Sequence, residues 1–245
     1  MSADERAAVL PSLRERRRAA ATQEIVEAAE RQIAEHGPAA LSLRAVARSL
    51  GMTVQALYHY FPSRDDLVTV LITKAYDGLA DAVQAAVDAA PEHAELSRVV
   101  VAAEGYRRWA IDHPELFQLL YGTPLRYYAA PVGGPTTQAL NRMSAVFRRE
   151  MFGGFTEEQL AAADIPELSP ELQAHLDELR RHGTGDGLPP AAAALLLVAW
   201  GHMHGLVVLE VFGHLSFVGD HRAEIYRISM RNLVQDLNRR IAGAG

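Results

Sequence analysis

Apolar positions along this chain recur at intervals of three and four, with glycine and proline falling between the periodic stretches. Strand-like alternation is scarce, so the pattern predicts helices throughout. Ile25, Ala29 and Ile33 mark one face of a helix over about residues 20–35, stopped by Gly37 and Pro38. The arginine-rich segment ahead of it, Arg14 to Arg18, reads as a frayed start. Leu43, Val46, Ala47 and Leu50 stand at i, i+3, i+4 and i+7, the core face of a short amphipathic helix with Ser42 at its N-cap position. Gly51 can take the left-handed conformation that ends it. Thr53 can cap a second short helix over about 54–60, and Pro62 disfavours helical geometry at Phe61. Ser63 with Asp66 predicts a capping box opening a long helix to about residue 89. Further helices are expected over about 95–112, 114–121, 138–151, 157–162, 171–181, 191–214 and 220–241, with loops at 127–137 and 182–190.

The stretch 41–66 carries the most information. Two short helices joined by a glycine turn make a helix-turn-helix. In such a unit the second helix can enter the major groove while the first holds it against the protein. Met52, Leu57 and Phe61 point inward. Gln55, Ala56, His59 and Tyr60 point away, and Val54 is ambiguous. Glutamine can pair with adenine, and small apolar groups can touch thymine methyls. Arg44 and Arg64 each fall in the first turn of a helix, where the helix dipole disfavours a cation by about 0.3–1 kcal/mol. A phosphate bound at the helix N-terminus reverses that preference. Two such arginines flanking one helix-turn-helix suggest a phosphate on each side of the groove.

Net charge is −6, which argues against nucleic acid until its distribution is considered. Residues 1–64 hold nine Arg against seven Asp and Glu, and from His36 to Arg64 there are three Arg and no acid. The local field, not the total, decides whether phosphates are attracted. The absence of cysteine excludes disulfides, thiolate catalysis and cysteine zinc sites. The start MSADERAAVL does not read as a secretory signal, so a cytoplasmic protein is expected. Residues 191–212 are long and apolar enough to span a bilayer, but His202, His204 and Glu210 interrupt them, and a buried or interfacial helix fits better than a membrane span. No nucleophile elbow, phosphate loop or dinucleotide fingerprint is present, so no enzyme and no cofactor is expected. His202 and His204 lie about 200° apart on a helix and cannot share a metal from it.

The run LSLRAVARSLGMTVQALYHYFPSRDDLV, residues 41–68, closely resembles the DNA-binding motif of TetR-family regulators. It has the turn Gly51, the central Leu57-Tyr58 pair, the aromatic pair Tyr60-Phe61, and Arg64 opening the next helix. The resemblance covers about residues 14–74. It implies an all-α fold, with a three-helix DNA-binding domain over 14–66 and a helical effector-binding and dimerisation domain over 67–245. By the same resemblance, Ser42 and Arg44 look like backbone or groove contacts from the second helix. Thr53, Val54, Gln55, Ala56, Tyr58, His59 and Tyr60 look like the recognition-helix set, and Arg64 looks like a phosphate contact. Arg14 to Arg18 resembles the N-terminal arms that some members lay along DNA, with a disordered tail as the alternative. The segment WGHMHGLV, residues 200–207, resembles a subgroup with a Trp-His-Gly-type C-terminal domain.

Gly201 and Gly205 are four apart on one face, and each costs about 0.8–1 kcal/mol in a helix interior. Close approach of another helix is the simpler reason, with space for a ligand as the alternative. A homodimer through the last two long helices is therefore expected, because two recognition helices must reach successive major grooves about 34–36 Å apart. Tyr106, Trp109, Phe117, Tyr121, Phe147, Trp200, His202 and His204 are the candidate lining of an effector pocket, apolar with a few polar groups. The expected function is a repressor released from double-stranded operator DNA by a small apolar or aromatic molecule. A ligand-independent regulator, an activator, or a helical interaction module are the alternatives.

Overall fold

Ser12 opens the first helix two turns earlier than the apolar pattern predicts. The computed structural model describes residues 12–91, 96–122, 128–181 and 187–243. In it α1 (Leu13–His36) begins with a capping box, the Ser12 Oγ accepting from the Glu15 N–H and the Glu15 carboxylate accepting from the Ser12 N–H. Arg14 to Arg18 are thus helical rather than frayed. The first eleven residues, most of the expected loop at 182–190, and single residues at the edges of other expected elements (Glu95 and Tyr127) lie outside the described residues.

A 3₁₀ turn (Pro38–Ala40) leads to α2 (Leu43–Ser49). Gly51, at φ +64°, follows it; the Gly51 N–H reaches the Arg48 carbonyl at 3.1 Å and the Met52 N–H reaches the Ala47 carbonyl at 2.9 Å. That pair of bonds is a Schellman closure, and the positive φ is what glycine supplies. α3 (Val54–Tyr58) is capped by Thr53 Oγ1, which accepts from the Ala56 N–H at 3.1 Å. α4 (Arg64–Ala89) starts with the predicted Ser63–Asp66 capping box. Leu57 and Phe61 point inward as read, meeting Ile25, Ile33, Val46 and Leu67 in one core.

Beyond it come α5 (Arg98–Asp112), α6 (Pro114–Tyr121), α7 (Pro135–Phe152), α8 (Glu157–Ala161), α9 (Pro170–Arg181), α10 (Pro190–Val211) and α11 (Arg222–Ala242), with a second 3₁₀ turn (Ser216–His221) before the last. α7 starts inside the expected loop because Pro135 suits the first helical position, where its missing N–H costs nothing. No strand occurs among the described residues.

α4 serves both halves. Its Leu67, Val68 and Leu71 belong to the first core, and Leu79, Val83 and Val87 to a second built with α5, α6, α7, α10 and α11. α10 is apolar on two sides. Ala192, Leu195, Ala199, Met203 and Val207 are buried, while Leu197 is 70% and Val198 66% exposed. This two-sidedness, rather than a lipid environment, accounts for a helix long and apolar enough to cross a bilayer. Arg107 of α5 ties α10 down. Its Nε and a terminal nitrogen reach the Glu210 carboxylate at 2.7 and 2.5 Å, with Glu104 at 3.8 Å on the other side.

Candidate nucleic-acid interface and sensor core

The turn closure at Gly51 and the cap at Thr53 fix how α3 leaves the surface. Gln55, Tyr58 and His59 are exposed, as are Thr53 and Arg44; Ala56, Ser42 and Arg64 are half-buried. Neither Arg44, Arg48 nor Arg64 pairs with a carboxylate among the described residues, and the Arg44 and Arg48 side chains are exposed. α2 has no acid in its first turn, which leaves Arg44 opposed by the helix dipole. At Arg64 the picture differs from the sequence reading, because Asp65 and Asp66 share that turn and already offset the dipole. Ser42 occupies the N-cap position but its hydroxyl caps nothing; instead its N–H donates to Gln32 Oε1 at 3.3 Å.

Tyr60, read as pointing away, sits otherwise than expected, and the ambiguous Val54 falls on the inner side. Tyr60 and Val54 are half-buried against the first core. Arg18 explains the first: its guanidinium lies 5.7 Å from the Tyr60 ring centroid and donates to the His59 carbonyl at 3.1 Å. Arg18 therefore clamps the C-terminal end of α3 onto α1, while Arg14 and Arg17 line the cleft between the two helices. Sequence reasoning missed this role because it read the arginine run as a frayed start, either an arm along DNA or a disordered tail. Arg18→Ala is expected to weaken DNA binding about 3–10-fold, with a loss of stability under about 1 kcal/mol, since an exposed cation–π contact is worth about 0.5–1 kcal/mol. Anisotropy titration beside urea denaturation checks it; equal DNA affinity in the variant would remove the clamp from the site.

In the second half, rings from four helices converge. Tyr106 of α5 meets Phe117, Tyr121, Phe147, Trp200 and His204, with centroids 5.5–6.5 Å apart. Trp200 and His204 stack at 5.1 Å and 10°. The Tyr106 hydroxyl and His204 Nδ1 share a hydrogen bond of 2.8 Å. Tyr121 reaches Tyr76 of α4, edge to face at 5.9 Å. Burial pushes the Tyr76, Tyr106 and Tyr121 hydroxyls up, so they stay protonated, and pushes His204 down, so its imidazole is neutral near neutral pH. The Tyr121 hydroxyl is buried without a hydrogen-bond partner among the described residues.

These rings pack against one another, stacked or edge to face. An open cavity of about 350 Å³ lies beside them between α7, α9 and α10. Of the eight candidate pocket residues only Phe147 and Trp200 line it.

Residues 25–71 match the model described as bacterial regulatory proteins, tetR family, and residues 99–233 match the tetracyclin repressor-like C-terminal domain. The HTH-type transcriptional regulator Rv1816 of Mycobacterium tuberculosis is 34% identical over 190 residues, spanning 77% of this chain and 80% of that one. Mb1846 of Mycobacterium bovis, another HTH-type transcriptional regulator, matches to the same extent. This chain belongs to the TetR family. The crystal structure of SCO4313, described as a regulatory protein, has a TM-score of 0.71 and 32% identity, covering 92% of this chain and 100% of that one. A Rhodococcus protein of unknown function, at a TM-score of 0.62 and 23% identity over 95% and 98% of the two chains, shares the fold.

As a TetR-family protein the chain is a DNA-binding transcriptional regulator and not an enzyme. Two of the pocket expectations need correcting within that frame. His202 is exposed and bonds Ser229 Oγ of α11 at 2.6 Å, on the opposite side of α10 from His204, as 200° of helix rotation dictates. Trp109 is buried outside the ring cluster, stacked on His113 at 5.1 Å, with its Nε1 3.7 Å from where a Cβ on Gly78 would stand. Among the described residues nothing lies within 4 Å of a would-be Cβ on Gly201 or Gly205, so no described helix approaches them closely.

Proposed function

We propose that this TetR-family regulator is a ligand-responsive repressor that binds double-stranded operator DNA as a homodimer in the cytoplasm and leaves it when a small apolar effector binds the second half. The observation that carries the DNA reading is the exposed face of α3 with unpaired arginines, Arg44 and Arg64, on either side. Gln55, Ala56, Tyr58 and His59 would read base edges or line the groove, with Thr53, Val54 and Tyr60 setting the helix in place. Ser42, Arg44 and Arg64 would hold phosphates. The homodimer reading is supported by the exposed apolar face of α10, with Gly201 and Gly205 open along it. The repressor reading is supported by α4, which joins the ring cluster at Tyr76 to the reading head at Arg64. An effector that prefers the DNA-incompetent arrangement shifts the population toward it.

The test is salt-dependent binding to the chain's own upstream DNA, with and without a panel of apolar molecules. A specific dimer complex released by one of them is the expected result. Specific binding that no ligand alters would favour the ligand-independent regulator. Arg64→Ala should weaken binding to all sequences alike and reduce the slope of log K against log salt by about 1.8, about 0.9 for each of the two phosphate contacts that the proposed dimer loses. Gln55→Ala should instead relax base preference at one position, by about 1–3 kcal/mol of discrimination. Identical, sequence-independent losses in both variants would overturn the assignment of faces.

A further inference from the structure

The cavity between α7, α9 and α10 has a consistent chemistry. Met143 and Phe147 form its α7 wall, Leu196 and Trp200 its α10 wall, and Leu176 of α9 lies across it. The polar side chains that line it belong to Asn141 and Ser144, both of α7, and no ionisable side chain lines it among the described residues. Its volume of about 350 Å³ falls at the small end of drug-sized sites, about 300–1,000 Å³. Burying an unpaired charge in such a lining is far costlier than burying a hydrogen-bonded neutral group. The lining thus discriminates by charge as well as by size.

A second copy of the chain is a poor occupant. On α10 the cavity residues Ala193, Leu196, Leu197 and Trp200 centre roughly 135° away from Val198, Gly201, Gly205 and Leu209, at 100° per residue, and Leu197 is the residue that the cavity shares with the exposed apolar side. A partner seated on the glycine face meets the cavity only at its Leu197 rim and leaves the Ala193, Leu196 and Trp200 wall uncovered. The cavity also abuts the ring cluster. Trp200 is its wall, and Trp200 touches Tyr121 at 6.0 Å, which touches Tyr76 of α4.

We propose that this cavity is the effector site, and that it takes an uncharged, mainly apolar molecule with one hydrogen-bonding group directed at Asn141 and Ser144. The proposal rests on the ligand-responsive reading and specifies its ligand. The closely packed rings, including Tyr106, Phe117, Tyr121 and His204, then act behind the site as the layer that a ligand on Trp200 displaces.

The test uses the full chain without DNA, titrated with the neutral fluorophore N-phenyl-1-naphthylamine. Saturable binding, one probe per chain, is the expected result. Naphthalene-2-methanol should displace it at about tenfold lower concentration than the 2-naphthoate anion. Leu140→Trp and Ser144→Phe, two fillers of the same space, should each weaken the probe about tenfold with an unchanged circular dichroism spectrum and unchanged operator affinity. Saturating probe should lower operator affinity in the parent protein and not in the fillers. Fillers without effect, equal displacement by the anion, a probe that binds without shifting operator affinity, or binding that appears only when the dimer is separated would each overturn the proposal. Probe binding is read without DNA, so the two readings fail separately. A protein that binds the probe as expected but no operator sinks the regulator reading. Operator release by a ligand that the fillers do not impede sinks the site alone.

Discussion

Gly205→Leu is expected to turn a dimer into a monomer and to lower operator affinity by about two orders of magnitude or more. Among the described residues a Cβ at Gly205 meets nothing within 4 Å, so a side chain can begin there without a clash. Leucine is also the better helix former, by about 0.8–1 kcal/mol. The added side chain therefore costs only what approaches α10 from outside. Losing the partner converts two linked half-site contacts into two independent ones, and linkage of this kind is worth about 10²–10⁴ in affinity. Light scattering and anisotropy titration on the same sample read both effects. A variant that stays dimeric with parental affinity would move this face out of the interface.

Arg107→Ala is expected to cost about 3–5 kcal/mol of stability, the range for removing one partner of a buried ion pair. The Arg107 side chain is 12% exposed and its bidentate partner Glu210 only 7%. Alanine strands the Glu210 carboxylate in a site that water scarcely reaches. Glu104 suffers less, because Arg227 stands 3.3 Å away on α11. The double change Arg107→Met with Glu210→Met removes both charges and should recover most of the loss, since apolar replacements of a buried pair are often neutral or better. Urea denaturation of the three variants decides the matter. A single-variant loss below about 1 kcal/mol would mean the pair is solvated and behaves as a surface bridge.

The reading head was legible in the sequence because its signals are local. Gly51 needed a positive φ, Thr53 and Ser63 needed cap geometry, and the i, i+3, i+4 spacing placed Leu43, Val46 and Leu57 inside. Each of these acts within five residues. The start of α1 carried a readable signal too, since Ser12 and Glu15 form a Ser-x-x-Glu box. It was obscured because the arginines after it show no apolar period, and what gives Arg18 its place is a contact 41 residues away, at His59. The second half was legible in its ring content and not in its empty space. Tyr106, Phe117, Tyr121 and His204 do meet, but a cavity is set by where helices fail to touch, and its walls are largely ordinary leucines such as Leu140 and Leu196. His202 was the avoidable error, because the helix rotation that separated it from His204 for a metal also separates the two for a pocket.

The two-sided α10 ties the life of this molecule to its abundance. A helix with one apolar face is satisfied once its own chain closes over it, but α10 keeps Leu197, Val198 and Leu209 outside after folding. Among the described residues nine α-helices precede α10, so during synthesis this sticky surface appears after them. In the proposed dimer, each new copy must then search for another through a crowd of other proteins, and the length of that search scales inversely with the number of copies present. Thermal unfolding should accordingly shift upward as the protein is concentrated. A cell that makes too little of it would lose molecules to clumping or proteolysis before they ever reach an operator.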